Sequence, residues 1–244
     1  MSENAVNSTP SVHFLIELRR RLIYSFIVLF IFFSILCYFS SPLYTLLASP
    51  LLKFLPQGHL IATQIISPFF VPFKLALMVA IWMAIPFFLY QLWAFIAPAL
   101  YLNERRKIWP FLCISTLLFY MGMAFAYLVI LPMLFHFLSK IAPVGVILTP
   151  DITAYLDFTM MLLFSFGGLF EIPMVMVLLV SMNIVGVEKL LRCRSYAILA
   201  AFVLGMLLAP PDVLSQIVLA IPIWLLYELG ILLSRFVKRS SKKY

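Results

Sequence analysis

Long apolar runs recur along this chain, and they limit what it can fold into more than any other feature. Leu22 to Phe39, Phe69 to Trp93, Trp109 to Leu131, Leu156 to Val180 and Val213 to Leu233 are all nearly free of charge. A run of about 18 or more apolar residues can cross the hydrocarbon of a bilayer as a helix. With 65% of its 244 residues hydrophobic and 11% charged, the chain has too much apolar surface for a soluble domain to hide. The reading is an all-α polytopic membrane protein.

The net charge of +8 does not point to nucleic acid, because the cations sit in small clusters at the ends of apolar runs. Counting Lys and Arg on alternate sides gives fourteen on one side and two, Lys53 and Lys140, on the other, with Lys74 just inside the second span. Such a bias places the rich side in the cytosol. It predicts six spans, about 22–39, 69–93, 109–131, 156–180, 195–209 and 213–233, with both termini cytoplasmic. The fifth is short: about 15 residues at about 1.5 Å each make about 22 Å, against a hydrocarbon core of about 30 Å. The fold expected is a six-helix membrane domain over 22–233, with short fifth and sixth helices and two long helical outer loops. A cytoplasmic N-tail over 1–21 precedes it, and a basic tail over 234–244 follows.

Arg19, Arg20 and Arg21 before an apolar run resemble a secretory leader, but the run is too long for one, and Ser40-Ser41-Pro42 offers no small-residue cleavage pattern. The first span is therefore expected to stay. Thr9-Pro10 suits a cap and first helical position. Ser11 to Arg21 is amphipathic, with Glu17 four residues before Arg21. The first outer loop carries Leu43, Leu46, Leu51 and Phe54 at helical spacing, which predicts a short interfacial helix. Pro132 to Tyr155 is expected to form the second. Pro86 predicts a kink in span two, and Gly167-Gly168 with Pro173 an interruption of span four. Cys37, Cys113 and Cys193 are too few and too scattered for a disulfide framework.

Enzyme motifs are absent: the glycines make no phosphate loop, and the histidines fall in separate segments. Neither a catalytic role nor a metal or other cofactor is expected. Glu171 is the costliest residue, since a carboxyl at mid-span costs about 2.5 to 3.5 kcal/mol on insertion scales. It either fixes packing, protonated or bonded to a neighbouring helix, or forms a docking point for another helix or a site for charge movement. Lys74 and Glu228 lie near span ends, where each can snorkel. Asp212 reads as turn and cap, with Gln216 near it at the outer end of span six. Glu17 and Glu104 are open in the same way: one pairs with Arg21 or reads a ligand, the other borders a helix or reads a ligand. A small-solute transporter or channel using Glu171 is the alternative, but one carboxyl does not line a polar path.

Six motifs in order carry a more specific signal. They are H-F-L-I-E-L-R-R-R-L at His13 to Leu22, F-I-A-P-A-L-Y-L-N-E-R-R at Phe95 to Arg106, G-M-A-F-A-Y from Gly122, F-G-G-L-F-E-I-P at Phe166 to Pro173, A-P-P-D at Ala209 to Asp212, and A-I-P with L-Y-E ending at Glu228. With these the chain resembles the TatC family, the membrane receptor subunit of the twin-arginine protein translocase, over essentially its whole length. It departs from many relatives in having Ala99 and Ala209. The resemblance implies a multi-pass protein of the bacterial cytoplasmic (inner) membrane that binds twin-arginine signal peptides of folded cargo on the cytoplasmic face. It implies Glu104 as main arginine acceptor, with Phe95, Pro98, Leu100 and Arg105 in the same loop and Glu17 and Arg19 from the tail. Glu171, Phe170, Pro173, Met206 and Gln216 would contact the single-span TatA and TatB partners within a larger assembly. Export would draw on the proton-motive force, without nucleotide or cofactor.

Overall fold

The computed structural model describes residues 10–39, 67–96, 108–141, 151–208 and 213–241, and these are almost wholly helical. The expected interfacial helix of the first outer loop lies outside the described residues. Helix α1 (Pro10–Tyr38) begins at the proline predicted to open it and runs unbroken from the amphipathic segment into the first apolar run. It packs antiparallel on α2 (Ser67–Ile96). Leu29, Phe32, Phe33 and Leu36 of α1 settle against Ala76 and Ala80, whose small side chains let the two helices approach. Both Pro72 and Pro86 lie inside α2, which continues as one helix.

Helix α3 (Ile108–Phe125) does not end where Pro132 suggested. A π-helical turn over Ala126–Ile130 links it to α4 (Leu131–Ile141), and the helix runs on through the proline. The reason lies in the wider turn: the Leu131 N–H bonds the carbonyl of Ala126, five residues back. That spacing relieves the clash a proline ring makes with an ordinary α-helical ladder. Helix α4 and a helix that starts at Ile152 take up both ends of the stretch from Pro132 to Tyr155, which leaves residues 142–151 between them.

Asp151 caps α5 (Ile152–Leu169) by accepting from the Ala154 N–H. The predicted interruption of the fourth span is present: α5 stops at Leu169, and α6 (Ile172–Ser181) starts with Pro173 in its first turn. Close approach dictates the glycines here. A Cβ on Gly122 of α3 would sit 2.5 Å from the Phe166 carbonyl oxygen, and one on Gly167 would sit 2.7 Å from the Phe119 ring. The main core lies between α2, α3 and α5, around Leu75, Ile130, Leu156, Met160 and Phe166.

Asn183, with φ 58°, ends α6 in the left-handed turn that lets the Ile184 N–H bond the Leu179 carbonyl. A short α7 (Val187–Arg192) leads to α8 (Arg194–Leu208) and α9 (Val213–Ser241). Helix α8 has 15 residues, short as expected. The expectation of a short sixth helix fails, because α9 has 29: its apolar run of 24 residues continues as helix into the basic segment. Among the described residues, five helical stretches are long and apolar enough to cross a membrane, and α8 is a shorter apolar one.

Candidate functional site

Polar side chains gather at several places within the apolar packing of the described residues, two of them at positions singled out from the sequence. The first is where the start of α1 meets the end of α2. Arg21 donates from Nε and Nη2 to Glu17 Oε1, at 3.1 and 2.5 Å, one helical turn back. Its Nη1 donates to the main-chain and side-chain oxygens of Gln91, at 3.3 and 3.1 Å, and Nη2 also reaches the Ala94 carbonyl at 3.1 Å. A guanidinium has five N–H donors, so every one is engaged. Of the two carbonyls it meets, that of Ala94 lies in the last turn of α2, where helical partners run out and the dipole is negative, and that of Gln91 lies one turn earlier. The Arg21 side chain is only 20% exposed.

Arg19 is exposed. Two residues along a helix is a rotation of about 200°, so it faces away from the Glu17 cluster. Arg20 lies 5.7 Å from the centre of the Tyr24 ring, within cation–π range. A groove of about 440 Å³ opens between α1 and α2, walled by Leu22, Phe26, Leu29 and Phe88, with Arg21 and Gln91 among its lining. Phe95 is in the last turn of α2. Pro98, Leu100, Glu104 and Arg105 lie outside the described residues.

The second grouping sits at the break between α5 and α6. Glu171 occupies the junction, and the Ser115 hydroxyl of α3 donates to its Oε2 at 2.7 Å. Oε1 is buried with no hydrogen-bond partner among the described residues. The Phe170 ring packs at a tilt against Phe125, with centroids 5.7 Å apart, and Pro173 is buried where α9 brings in Gly230, so both serve the chain's own packing. Gln216 donates to the Phe202 carbonyl of α8 at 2.9 Å, while Met206 faces outward at 56% exposure. Glu171 is thus tied to α3, and Gln216 to α8.

Two residues expected to snorkel find partners instead. Lys74 of α2 pairs with Asp157 of α5, and Glu228 of α9 accepts from Arg194 of α8 at 2.7 Å. A counter-ion within reach spares each charge the cost of sitting alone against hydrocarbon. Asp157, Ser115 and Gln91 were not singled out from the sequence. Each is a polar residue within an apolar run, which is the signal that marks it.

The family described as "Sec-independent protein translocase protein (TatC)" matches residues 13–222. The Sec-independent protein translocase protein TatC of Escherichia coli K12 is 50% identical over 231 residues, covering 94% of this chain and 90% of that one. The protein of the same name from Haemophilus influenzae is 49% identical over 234 residues, covering 96% and 91%. A crystal structure of the twin-arginine translocase receptor TatC superimposes with TM-score 0.83 at 39% identity, over 92% of this chain and 99% of that one. The interrupted helix around Glu171 and the Glu17–Arg21 turn both fall inside the matched stretch, and the chain is a member of the TatC family, a multi-pass membrane component of the Sec-independent protein translocase.

Proposed function

We propose that this protein is the receptor of its translocase, binding twin-arginine signal peptides of folded cargo and recruiting TatA- and TatB-type subunits. The observation that carries the reading is the convergence of the N-tail and the end of α2 at Arg21. The chain leaves α2 at Ile96 and passes directly into the stretch that holds Glu104.

In this reading α8 counts as a sixth span, both termini are cytoplasmic, and the membrane is the bacterial inner membrane. The fourteen-to-two distribution of Lys and Arg supports that orientation. The tail over 1–21 and the loop from Phe95 to Lys107 form the reading surface, on the membrane domain of 22–233, with 234–244 as a basic tail.

A carboxylate meets an arginine in a planar fork that lysine cannot copy, so Glu104, with Glu17 and Arg19 from the tail and Phe95, Pro98, Leu100 and Arg105 around it, supplies specificity. Exposed ion pairs contribute only about 0 to 1 kcal/mol each, and the neighbouring cations repel a cationic ligand, a repulsion that salt screens over about 8 Å. Adhesion comes instead from the signal's apolar stretch, at about 0.8 kcal/mol per buried methylene, and the groove beside Arg21 offers one wall for it. Glu171, Gln216 and the outward-facing Met206 mark the side that meets partner helices, and Phe170 and Pro173 shape it from within the chain's own packing. The proton-motive force drives export.

Copurification of the membrane complex with cargo bearing Arg-Arg or Lys-Lys in its signal tests the receptor role. Retention of the Arg-Arg cargo alone is expected, and equal retention of both overturns it.

A further inference from the structure

Glu17 already holds an arginine, and that arginine belongs to this chain. Nε and Nη2 of Arg21 both converge on Glu17 Oε1, and the other donors are spent on Gln91 and Ala94 across the helix interface. A cargo guanidinium arriving at Glu17 would have to share a carboxylate whose Oε1 already takes two donors from Arg21, or displace that arginine. Displacement would leave a largely buried cation facing α2 without its counter-ion.

We infer that Glu17 is a positioning residue: through Arg21 it pins the N-tail helix to the C-terminal end of α2 and so sets where the cargo arginines are read. The inference rests on the receptor reading above and assigns Arg21 and Gln91 a part in it. The geometry asks for arginine at position 21. Contacts to a carboxylate one turn back on α1 and to oxygens of two residues on α2 need donors spread over a plane. A lysine has its three donors on one nitrogen and spans only part of that set.

The two roles for Glu17 differ in sign when Arg21 is removed. A direct reader would be freed of an internal competitor, and cargo would bind as well or better. A clamp would come apart, and cargo would bind worse.

The test is a titration of the full-length protein in lipid nanodiscs with a fluorescent signal peptide bearing Arg-Arg. Glu17→Gln and Arg21→Gln are each expected to weaken binding by about tenfold, with the double variant no worse than either alone, the pattern of two residues acting as one unit. Arg21→Lys recovers part of the loss. Spin labels at the exposed positions Leu18 and Leu92, in a protein with its cysteines replaced, move apart in Arg21→Gln. Should that variant fail to accumulate in the membrane, Gln91→Leu removes one acceptor, the side-chain oxygen on α2, and is expected to shift both readouts the same way by a smaller amount.

Unchanged or tighter binding by Arg21→Gln, additive losses in the double variant, or an unchanged label distance overturns the clamp. Glu104→Gln in the same titration separates the two readings. Wild-type affinity in that variant sinks the receptor role itself, whereas loss of binding there beside an additive Glu17–Arg21 pair sinks the clamp alone.

Discussion

Ser115 hydrogen-bonds Glu171 across the interface between α3 and the α5–α6 break, at 2.7 Å, in the midst of apolar side chains. The break and the carboxyl belong together. Pro173 cannot donate to the ladder, and Gly167 lets the Phe119 ring lie against the helix, so the Glu171 side chain meets α3 at a point of close approach. A buried acceptor that loses its donor costs about 1 to 3 kcal/mol. Ser115→Ala is therefore expected to lower the thermal midpoint in detergent. An unchanged midpoint would mean that the bond contributes nothing.

Glu171→Ala separates packing from partnership. Under the proposed division of the surface, it weakens association with a TatB-type subunit, measured by copurification, more than it weakens signal-peptide binding. Equal loss of both would assign Glu171 to the fold alone.

Close packing gives a second measurable contrast. At Gly122 an added Cβ would lie 2.5 Å from a main-chain oxygen and 2.8 Å from the Phe170 ring, whereas at Gly168 nothing lies within 4 Å. Overpacking costs about 1 to 3 kcal/mol, while Gly to Ala in an open helical position gains about 0.5 to 1 kcal/mol. Gly122→Ala is expected to destabilise and Gly168→Ala to stabilise slightly. Matching shifts in the two variants would contradict this packing.

The five long apolar helices were legible because an apolar run long enough to cross a bilayer is a property of composition and length, visible without any tertiary contact. The break at Glu171 was legible for a similar reason, since Gly-Gly and Pro act locally. What stayed hidden depends on residues far apart in the chain. Arg21 was visible as the partner of Glu17 one turn away, but its contacts on Gln91 and Ala94 are 70 and 73 residues distant. Lys74 was read as snorkelling because its counter-ion, Asp157, lies on another helix. The end assigned at Pro132 missed the π-helical turn, whose shifted hydrogen bonds no local rule of proline anticipates.

The Lys74–Asp157 pair offers a test of charge cost within a membrane protein. Removing one member leaves the other ion unpaired between α2 and α5, whereas removing both removes the problem. Asp157→Leu or Lys74→Met alone is expected to lower stability more than the double variant does. The measurement is the thermal midpoint of the purified protein, and additive losses would show that the pair is not coupled.

The sharpest prediction concerns Glu104, the lone carboxylate among Arg105, Arg106 and Lys107. Its cationic neighbours disfavour a positive ligand, so a reader placed there must discriminate by geometry rather than by bulk charge. The planar fork of arginine satisfies that requirement, and the point charge of lysine does not. Glu104→Gln keeps the size of the side chain and removes one charge. It is expected to abolish export of twin-arginine cargo while the protein still accumulates in the membrane. Crosslinking from position 104 to the signal should disappear when the cargo arginines become lysines. Normal export by Glu104→Gln, or crosslinking indifferent to that exchange, would remove Glu104 from the reading surface.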